Sequence, residues 1–505
     1  MDSQPGCFSG LFSFRRKRSE ALLESRGQAH DTRAIALPVA GVPKVELGMS
    51  AQFAASEADL PPYAHFSSTC LYCDHRAHAP SSTHARSEKP PSYSKEDIFQ
   101  PEVLKTIEDT VDKLSPELRE LSLDILHHPE LQWEERRTHD VLTAFMSAHD
   151  FKVTKHYAGL ETAWRAEFTH TPSSAVGSQE KVRVIGVNSE MDALPGVGHA
   201  CGHNLIATAG VGVALAIKTA LEKHDVPGKI ILLGTPAEEG GGGKINLLDA
   251  GAYEEMDACV MCHPSGAAVN TSSLGPSLAC QPLEVEFFGH GAHAAWAPWE
   301  AQNALDAAFL AYSSVSVLRQ QIKPSHRVHG IVSGRDWAPN IIPDYAKMRW
   351  IVRAPTWDEL VALRERVKAC FEAAAHATAC KVTIAAGPGY YDLRQNQILG
   401  EQFAQVVDRY GFSAEFDEGM AASTDFGNVT YALPSLHPGF AIPTPPNGGN
   451  HTPQFTEAAG TPEAHTAMLG VTKALAATGF RVVADAEFTM QVKKAWEEQM
   501  KEKQL

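Results

Sequence analysis

The chain has 505 residues, too many for one compact core, so two or more domains are expected. Its composition is ordinary for a globular protein, and its formal net charge of −16 argues against nucleic acid or an anionic membrane as a main partner. No apolar run of about 18 residues and no signal-peptide pattern occurs, so no membrane span or secretory leader is expected. Nine cysteines without framework spacing predict a reducing, cytoplasmic setting.

The first part of the chain differs from the rest. Residues 1–95 are rich in Ser, Pro, Ala and His and show no sustained periodicity, which predicts a disordered tail. Within it, Cys70 and Cys73 are followed closely by His75 and His78. A zinc finger needs a longer spacer between its cysteine and histidine pairs, so accidental clustering is the preferred interpretation.

Folded sequence is expected from residue 96. Apolar strands at 182–187, 229–234 and 258–261 alternate with helices at 205–221 and 244–250, which predicts a mainly parallel α/β sheet covered on both faces. This catalytic domain comprises 96–281 and resumes at 395–485, with a last core helix at 462–479. Residues 486–505 are expected to form a polar C-terminal helix and tail.

A second domain interrupts the first. Between 282 and 394 the predicted order is β-α-β-β-α-β, which is typical of a ferredoxin-like sandwich. Its first strand and its Ala-rich helix at 301–321 offer an edge and an apolar face suited to a two-fold dimer, so we predict a homodimer.

Polar side chains follow all three strands of the α/β sheet. Glu190 and Asp192 follow the first strand, Glu238 and Glu239 the second, and His263 the third. Ligands of parallel sheets bind at the carboxyl ends of the strands. The turn after the first strand adds ligand-type side chains at His199, Cys201 and His203, with Asn204 as the predicted helix N-cap. Thiolate, imidazole and carboxylate groups gathered in this way predict a divalent transition-metal site.

Two other motifs are interpreted as structural rather than functional. The Gly-rich run before Lys244 resembles a phosphate loop, but Ile245 follows the lysine and two glutamates precede the glycines, so a phosphate would be repelled. Cys259 and Cys262 form a CxxC, but Cys259 lies within an apolar strand, which predicts core thiols rather than a redox site.

Together the motifs resemble the peptidase M20 family, over about residues 97–479. The carrying stretches are His199-Ala-Cys-Gly-His-Asn204 and Pro236-Ala-Glu-Glu-Gly240, typical of its amidohydrolase subgroup, and Ser423-Thr-Asp-Phe-Gly-Asn428, typical of its dipeptidase branch. Glu190 and Asn204 stand where most of the subgroup has Asp, which concerns specificity more than activity.

The resemblance implies a zinc-peptidase catalytic domain with two divalent ions, zinc or alternatively manganese or cobalt. It implies metal ligands at five positions, a general base at Glu238, an orienting carboxylate at Asp192, and a lid histidine, His293, that often serves the neighbouring subunit. Asn340 and Arg353 match substrate-binding positions. The implied ligands are Cys201, His203, Glu239, His263 and His451.

The resulting hypothesis is a metal-dependent amide hydrolase in which metal-held hydroxide attacks the carbonyl and Glu238 carries the proton. Arg353 is expected to bind the carboxylate of a small substrate. That substrate is a dipeptide, in the favoured branch with a basic C-terminal residue, or an N-acyl amino acid. A non-catalytic family member acting in binding or assembly is the competing class.

Overall fold

A computed structural model describes residues 99–172, 182–416 and 419–501, so the predicted tail and its cysteine-histidine cluster lie outside the described residues. The α-helices are α1 Pro101–His127, α2 Arg136–Ala148, α3 His203–His224, α4 Gly243–Asp249, α5 Ala304–Leu318, α6 Trp357–Ala377, α7 Gln397–Val407, α8 Phe426–Ala432, α9 Pro453–Ala459, α10 Pro462–Ala484 and α11 Ala486–Lys501. The strands are β1 Lys152–Lys155, β2 Trp164–His170, β3 Val184–Glu190, β4 Gly228–Thr235, β5 Ala258–Val260, β6 His263–Ser265, β7 Thr271–Ser273, β8 Ala279–Phe288, β9 Arg327–Gly334, β10 Tyr345–Ala354, β11 Lys381–Ala386, β12 Ser413–Glu415, β13 Ser435–Leu436 and β14 Gly439–Ala441.

The catalytic domain is built on a six-stranded sheet in the order β1-β2-β4-β3-β5-β13. Strands β4, β3, β5 and β13 are parallel, as predicted, whereas β1 and β2 extend the sheet as antiparallel strands. Both faces are covered. In β4, Ile230 and Leu232 join the core formed with α3, while Ile231 and Leu233 join a second core on the other face. The α/β architecture is therefore confirmed.

Helices α3 and α10 have the length and hydropathy of membrane-spanning segments. In this fold 94% of the apolar window of α3 and 67% of that of α10 are buried inside the protein. Both pack against β3, and α1 packs on both of them. They are core helices, and their apolar composition is explained by the core they fill.

The inserted domain has the predicted order β8-α5-β9-β10-α6-β11 and forms an antiparallel sheet β11-β8-β10-β9. Its first strand begins at Ala279, three residues before the predicted boundary, and its first helix is shorter than predicted because Asn303 caps it with hydrogen bonds from the backbone N–H groups of Leu305 and Asp306. Helices α5 and α6 share one core with the sheet. The prediction that the first strand offers an edge is wrong, because β8 is paired on both sides, with β10 and with β11. The edge strands of this sheet are β9 and β11.

Candidate metal centre and active site

The carboxyl ends of β3, β4 and β5 lie at one edge of the sheet because the three strands are parallel. Glu190, the last residue of β3, is in register with Thr235, the last residue of β4. The carboxylates that follow β4 therefore emerge beside Glu190. His263 begins the short strand β6, just beyond β5. The ligand-type residues predicted from three separate strands thus share one edge.

A glycine positions the cysteine and histidine of the first motif. Gly202 has a φ of 80°, and a Cβ there would lie 2.5 Å from Cγ of Pro264. Only glycine fits both conditions comfortably. Helix α3 begins directly after it at His203. Cys201 Sγ lies 3.3 Å from Nε2 of His263. The prediction that Asn204 is the helix N-cap is wrong. Asn204 is a buried residue of the first turn, and its Nδ2 donates to Ser122 Oγ and Ala459 O.

The five predicted ligands fall into two geometric groups that share Cys201. In each group the potential ligand atoms all lie within 4.8 Å of one another. One group is Cys201, His203 and His263, and the other is Cys201, Glu239 and His451. Two neighbouring groups of this kind would hold two divalent cations.

Unpaired buried atoms show that these residues fit a bound cation. Both ring nitrogens of His203 and Oε1 of Glu239 are buried without a hydrogen-bond partner of good geometry. Orphaned buried polar groups are costly unless a ligand satisfies them. Burial and the charge of Glu239 also raise the pKa of the Cys201 thiol. A divalent cation would satisfy Nε2 of His203 and Oε1 of Glu239, and it would favour the thiolate of Cys201.

Asp192 fixes the turn that carries the two glutamates. Its Oδ1 accepts the backbone N–H of Glu238 at 3.0 Å, and its Oδ2 accepts that of Glu239 at 2.9 Å. Oδ1 also lies 3.3 Å from Nδ1 of His203. The residue thus contacts the backbone of both glutamates and a ring nitrogen of a predicted ligand. Burial, with the charges of Glu190 and Glu239, raises the pKa of Glu238 well above its usual value.

Two further residues, which no sequence motif indicated, hold the same turn. Glu135 is fully buried, and its Oε1 accepts the N–H of Ala237 at 2.9 Å. Ala237 has a φ of 56°, a left-handed conformation that needs support in a non-glycine residue. The Tyr390 hydroxyl donates to the carbonyl of Glu238 at 2.6 Å. No local pattern could have revealed either contact, because both partners are distant in sequence.

The metal-ligand groups lie at a cavity of about 520 Å³. The cavity is lined by Glu238, Glu239, Cys201, His263 and His451, among others. Arg353, from the lid strand β10, also lines it, and its Nη1 donates to Ser423 Oγ at 2.7 Å. A guanidinium and a cluster of metal-ligand residues that line the same cavity suit a small substrate with a carboxylate.

Comparison with known proteins assigns the family. Residues 186–473 match the model of peptidase family M20/M25/M40. The chain belongs to this family. It is 42% identical over 408 residues to mouse Xaa-Arg dipeptidase, covering 79% of this chain and 93% of the mouse protein. It is 26% identical to one of the subunits of the Escherichia coli p-aminobenzoyl-glutamate hydrolase, covering 76% of this chain and 93% of the bacterial protein.

The fold of the M20 family is also found among solved structures. A dinuclear metal-binding M20 peptidase from Bacillus subtilis superposes with a TM-score of 0.57 at 19% identity, covering 74% of this chain and 99% of the bacterial one. Divalent-metal binding by this chain therefore agrees with both its fold and its own ligand-type clusters.

Two residues predicted for the M20 site lie outside the cavity lining. His293 and Asn340 are both exposed on the lid. They are neighbours, since the N–H of Ala294 donates to Asn340 O at 3.0 Å. The ring of His293 is nevertheless oriented: its Nδ1 accepts the backbone N–H groups of Ala295 at 3.2 Å and Trp296 at 3.1 Å. Nε2 must then carry the ring proton and point outward as a donor.

The other candidate residues named in the sequence analysis do not belong to the two metal-ligand groups. His199 is buried, but no ligand group found among the described residues contains it. Cys259 and Cys262 are free and fully buried, and burial raises the pKa of both thiols, as expected of core residues. His437 was missed from sequence. It lines the cavity and its ring stacks on that of His263, with 5.9 Å between centroids.

Proposed function

We propose that this protein is a dipeptidase that uses two divalent metal ions to cleave dipeptides with a basic C-terminal residue such as Lys or Arg. Hydrolysis of a peptide or amide bond rests on membership of family M20 and on the similarity to Xaa-Arg dipeptidase. The observation that carries the proposal is one cavity lined by ligand-type side chains, the glutamate Glu238 and the cation of Arg353.

The metals would be held by the two groups that share Cys201. A set of one thiolate, three imidazoles and one carboxylate suits zinc, and manganese or cobalt can use the same donors. When bound, such ions lower the pKa of water and polarise the scissile carbonyl. The corresponding ligands are Cys201, His203, Glu239, His263 and His451.

Glu238 is the proposed general base. Its backbone is fixed by Asp192 and Tyr390, so its carboxylate is presented at a constant position beside the ligands. It takes the proton of the attacking water and delivers it to the leaving amine. Asp192 is a positioning residue, because it contacts Glu238 and Glu239 only through their backbone N–H groups.

His293 and Asn340 are proposed to complete the cavity of a second chain in a homodimer. Both are exposed beside each other, and Nε2 of His293 is an oriented donor that suits a developing oxyanion. The same inserted domain carries exposed apolar residues: Trp296 is 81%, Trp299 78% and Val317 74% exposed. An apolar exposed surface next to an edge strand is typical of an interface.

Arg353 is proposed to bind the free carboxylate of the substrate. Its guanidinium is held by Ser423 and faces the same cavity as the metal ligands. A cytoplasmic location is also proposed, supported by free thiols at all six cysteines of the described residues.

An N-acyl amino acid is the second candidate substrate. Apolar side chains of Ile351, Leu393 and Met420 line the cavity and would accommodate an apolar acyl group as readily as an aminoacyl group.

The test is amine release by the protein loaded with Zn²⁺, Mn²⁺ or Co²⁺. The panel contains Xaa-Lys and Xaa-Arg dipeptides, neutral dipeptides and N-acyl amino acids, each with its C-terminal amide as control. Preferred hydrolysis of the basic free acids supports the proposal. Faster cleavage of N-acyl amino acids selects the second candidate, and equal cleavage of acids and amides contradicts a role for Arg353. Binding without cleavage across the panel indicates a non-catalytic member.

A further inference from the structure

Lys244 is a fully buried lysine that joins two buried carboxylates behind the cavity. Its Nζ donates to Glu190 Oε1 at 2.7 Å and to Asp425 Oδ1 at 2.5 Å, and its backbone N–H donates to Asp425 Oδ2 at 2.9 Å. All three side chains have an exposure of 0%. A buried charge is tolerated only when it is paired in this way, so removing one member leaves the others uncompensated.

The two carboxylates reach different halves of the active site. Oε2 of Glu190 lies 3.4 Å from Nε2 of His203, one of the proposed metal ligands. Asp425 stands two residues after Ser423, whose hydroxyl accepts the N–H of Arg353. Lys244 therefore connects the metal side of the cavity to the segment that holds the substrate-binding arginine.

Lys244 does not face the substrate. Neither it nor Glu190 nor Asp425 is part of the cavity lining. Its ammonium is fully engaged by carboxylates, which also excludes the phosphate-loop interpretation of the glycine run before it. Lys244 can therefore affect the reaction only through Glu190 and Asp425.

Glu190 is itself close enough to act as a ligand. It forms a geometric group with His203 and Glu238 in which the ligand atoms lie within 4.8 Å of one another. The hydrogen bond from Lys244 occupies Oε1 and offsets the charge of the carboxylate. Its other oxygen, Oε2, is buried without a hydrogen-bond partner and faces His203, so the Lys244 contact determines which carboxylate oxygen of Glu190 faces the metal groups.

We propose that Lys244 is a positioning residue that fixes the carboxylate of Glu190 with Oε2 toward His203 and ties the segment 423–425, with its contact to Arg353, to the metal centre. The substrate half of this inference, which concerns Arg353, rests on the proposed function. The metal half, which concerns Glu190 and the metal ligands, does not depend on enzymatic activity.

The experiment compares Lys244→Met, Asp425→Asn and the double variant with the wild type. Lys218→Met is the matched control, because Lys218 is also a buried lysine, held by His149 O at 2.9 Å but outside the cavity lining. Three quantities are measured: the Tm of the metal-free protein, the visible absorption spectrum of the Co²⁺-loaded protein, and kcat and KM for a dipeptide and its C-terminal amide.

We expect Lys244→Met to change the Co²⁺ spectrum and to raise KM for the free acid roughly tenfold more than for the amide. Asp425→Asn should alter the acid-to-amide ratio with little effect on the spectrum. The double variant removes one buried carboxylate together with the cation, so it should recover part of the lost Tm without restoring the spectrum. Lys218→Met should lower only the Tm.

A wild-type spectrum and acid-to-amide ratio in Lys244→Met, with a lowered Tm, would overturn the inference and leave Lys244 a purely structural residue. If Lys244→Met does not fold, a wild-type acid-to-amide ratio in Asp425→Asn overturns the substrate half. The metal half is then decided by Glu190→Gln, and a Co²⁺ spectrum identical to that of the wild type overturns it, because the carboxylate of Glu190 would then have no influence on the metal groups. A wild type that cleaves no dipeptide refutes the proposed function, but the spectra still test the metal half.

Discussion

The metal centre and the exposed face of the lid assemble their functional groups in opposite ways. At the metal centre, buried hydrogen bonds that the backbone N–H groups of Glu238 and Glu239 donate to Asp192 fix the backbone before any ligand binds. On the lid, His293 is oriented by two backbone N–H groups but faces solvent. A buried site can be complete within one chain, whereas an exposed side chain can act on a substrate only if another surface brings the substrate to it. This difference underlies the proposal that His293 completes the site of a second chain.

The largest effect should follow from changing the buried side. Glu238→Gln preserves the shape of the side chain but removes the proton acceptor, so kcat should fall by roughly a hundredfold or more. The metal content should remain that of the wild type, because Glu238 belongs to neither group that shares Cys201. Steady-state kinetics and elemental analysis check both statements, with the exposed Glu463→Gln as control. Normal turnover in Glu238→Gln would refute its role as base.

Arg353 tests the boundary between the two regions, because it comes from the lid but lines the catalytic cavity. Arg353→Ala removes a charge-assisted pair with the substrate, which should cost about 2–3 kcal/mol, or about thirty- to a hundredfold in kcat/KM. The loss should apply to free acids and be much smaller for C-terminal amides. A uniform loss on both substrates would indicate that Arg353 only supports the lid.

Mixed dimers test the lid side. His293→Ala and Glu238→Gln chains should each be inactive alone if His293 acts on the neighbouring site. After unfolding and joint refolding, random pairing yields one intact site in half of the dimers, so about a quarter of the wild-type activity should return. A different affinity tag on each variant allows the mixed dimer to be isolated and verified. A mixed dimer that regains no activity would show that His293 acts within its own chain or not at all.

The smallest effect is expected from the surface ion pairs of the lid. Lys323 and His326 both contact Glu359 at 2.8 Å, and their hydrogen bonds lower the pKa of its carboxyl. A lowered folded-state pKa gives stability that is present above the free value of 4.5 and is lost as pH falls below it. Glu359→Gln should therefore destabilise the protein by less than about 1 kcal/mol at pH 7 and by nothing in acid. Denaturant titrations at both pH values check this, and a larger loss would contradict the surface assignment.

The sequence predicted those features that local patterns encode. The parallel strands appear as apolar runs, and the lid appears as a β-α-β-β-α-β order that the structure reproduces. The cysteine and histidine of the first motif are separated by a single glycine, so their proximity is inherent in the chain. These patterns need no knowledge of distant contacts.

Distant contacts explain what was missed. Strands β1 and β2 carry polar residues and were not predicted, because they are recognisable only by their pairing with β4. Strand β6, which carries His263, is too short to give a periodic signal. Asn204 was predicted as an N-cap from its position, but its partners Ser122 and Ala459 lie far away in sequence. Lys244 similarly has partners 54 and 181 residues away.

The central claim is that one cavity binds two divalent ions that share the thiolate of Cys201. The most direct measurement is a Co²⁺ titration of the metal-free protein followed at the near-ultraviolet thiolate-to-cobalt charge-transfer band, with elemental analysis of the product. We predict saturation at two ions per chain, in line with the two ligand groups, and loss of the band in Cys201→Ser with weakened binding of both ions. Saturation at one ion per chain, or an unchanged band in Cys201→Ser, would contradict the account.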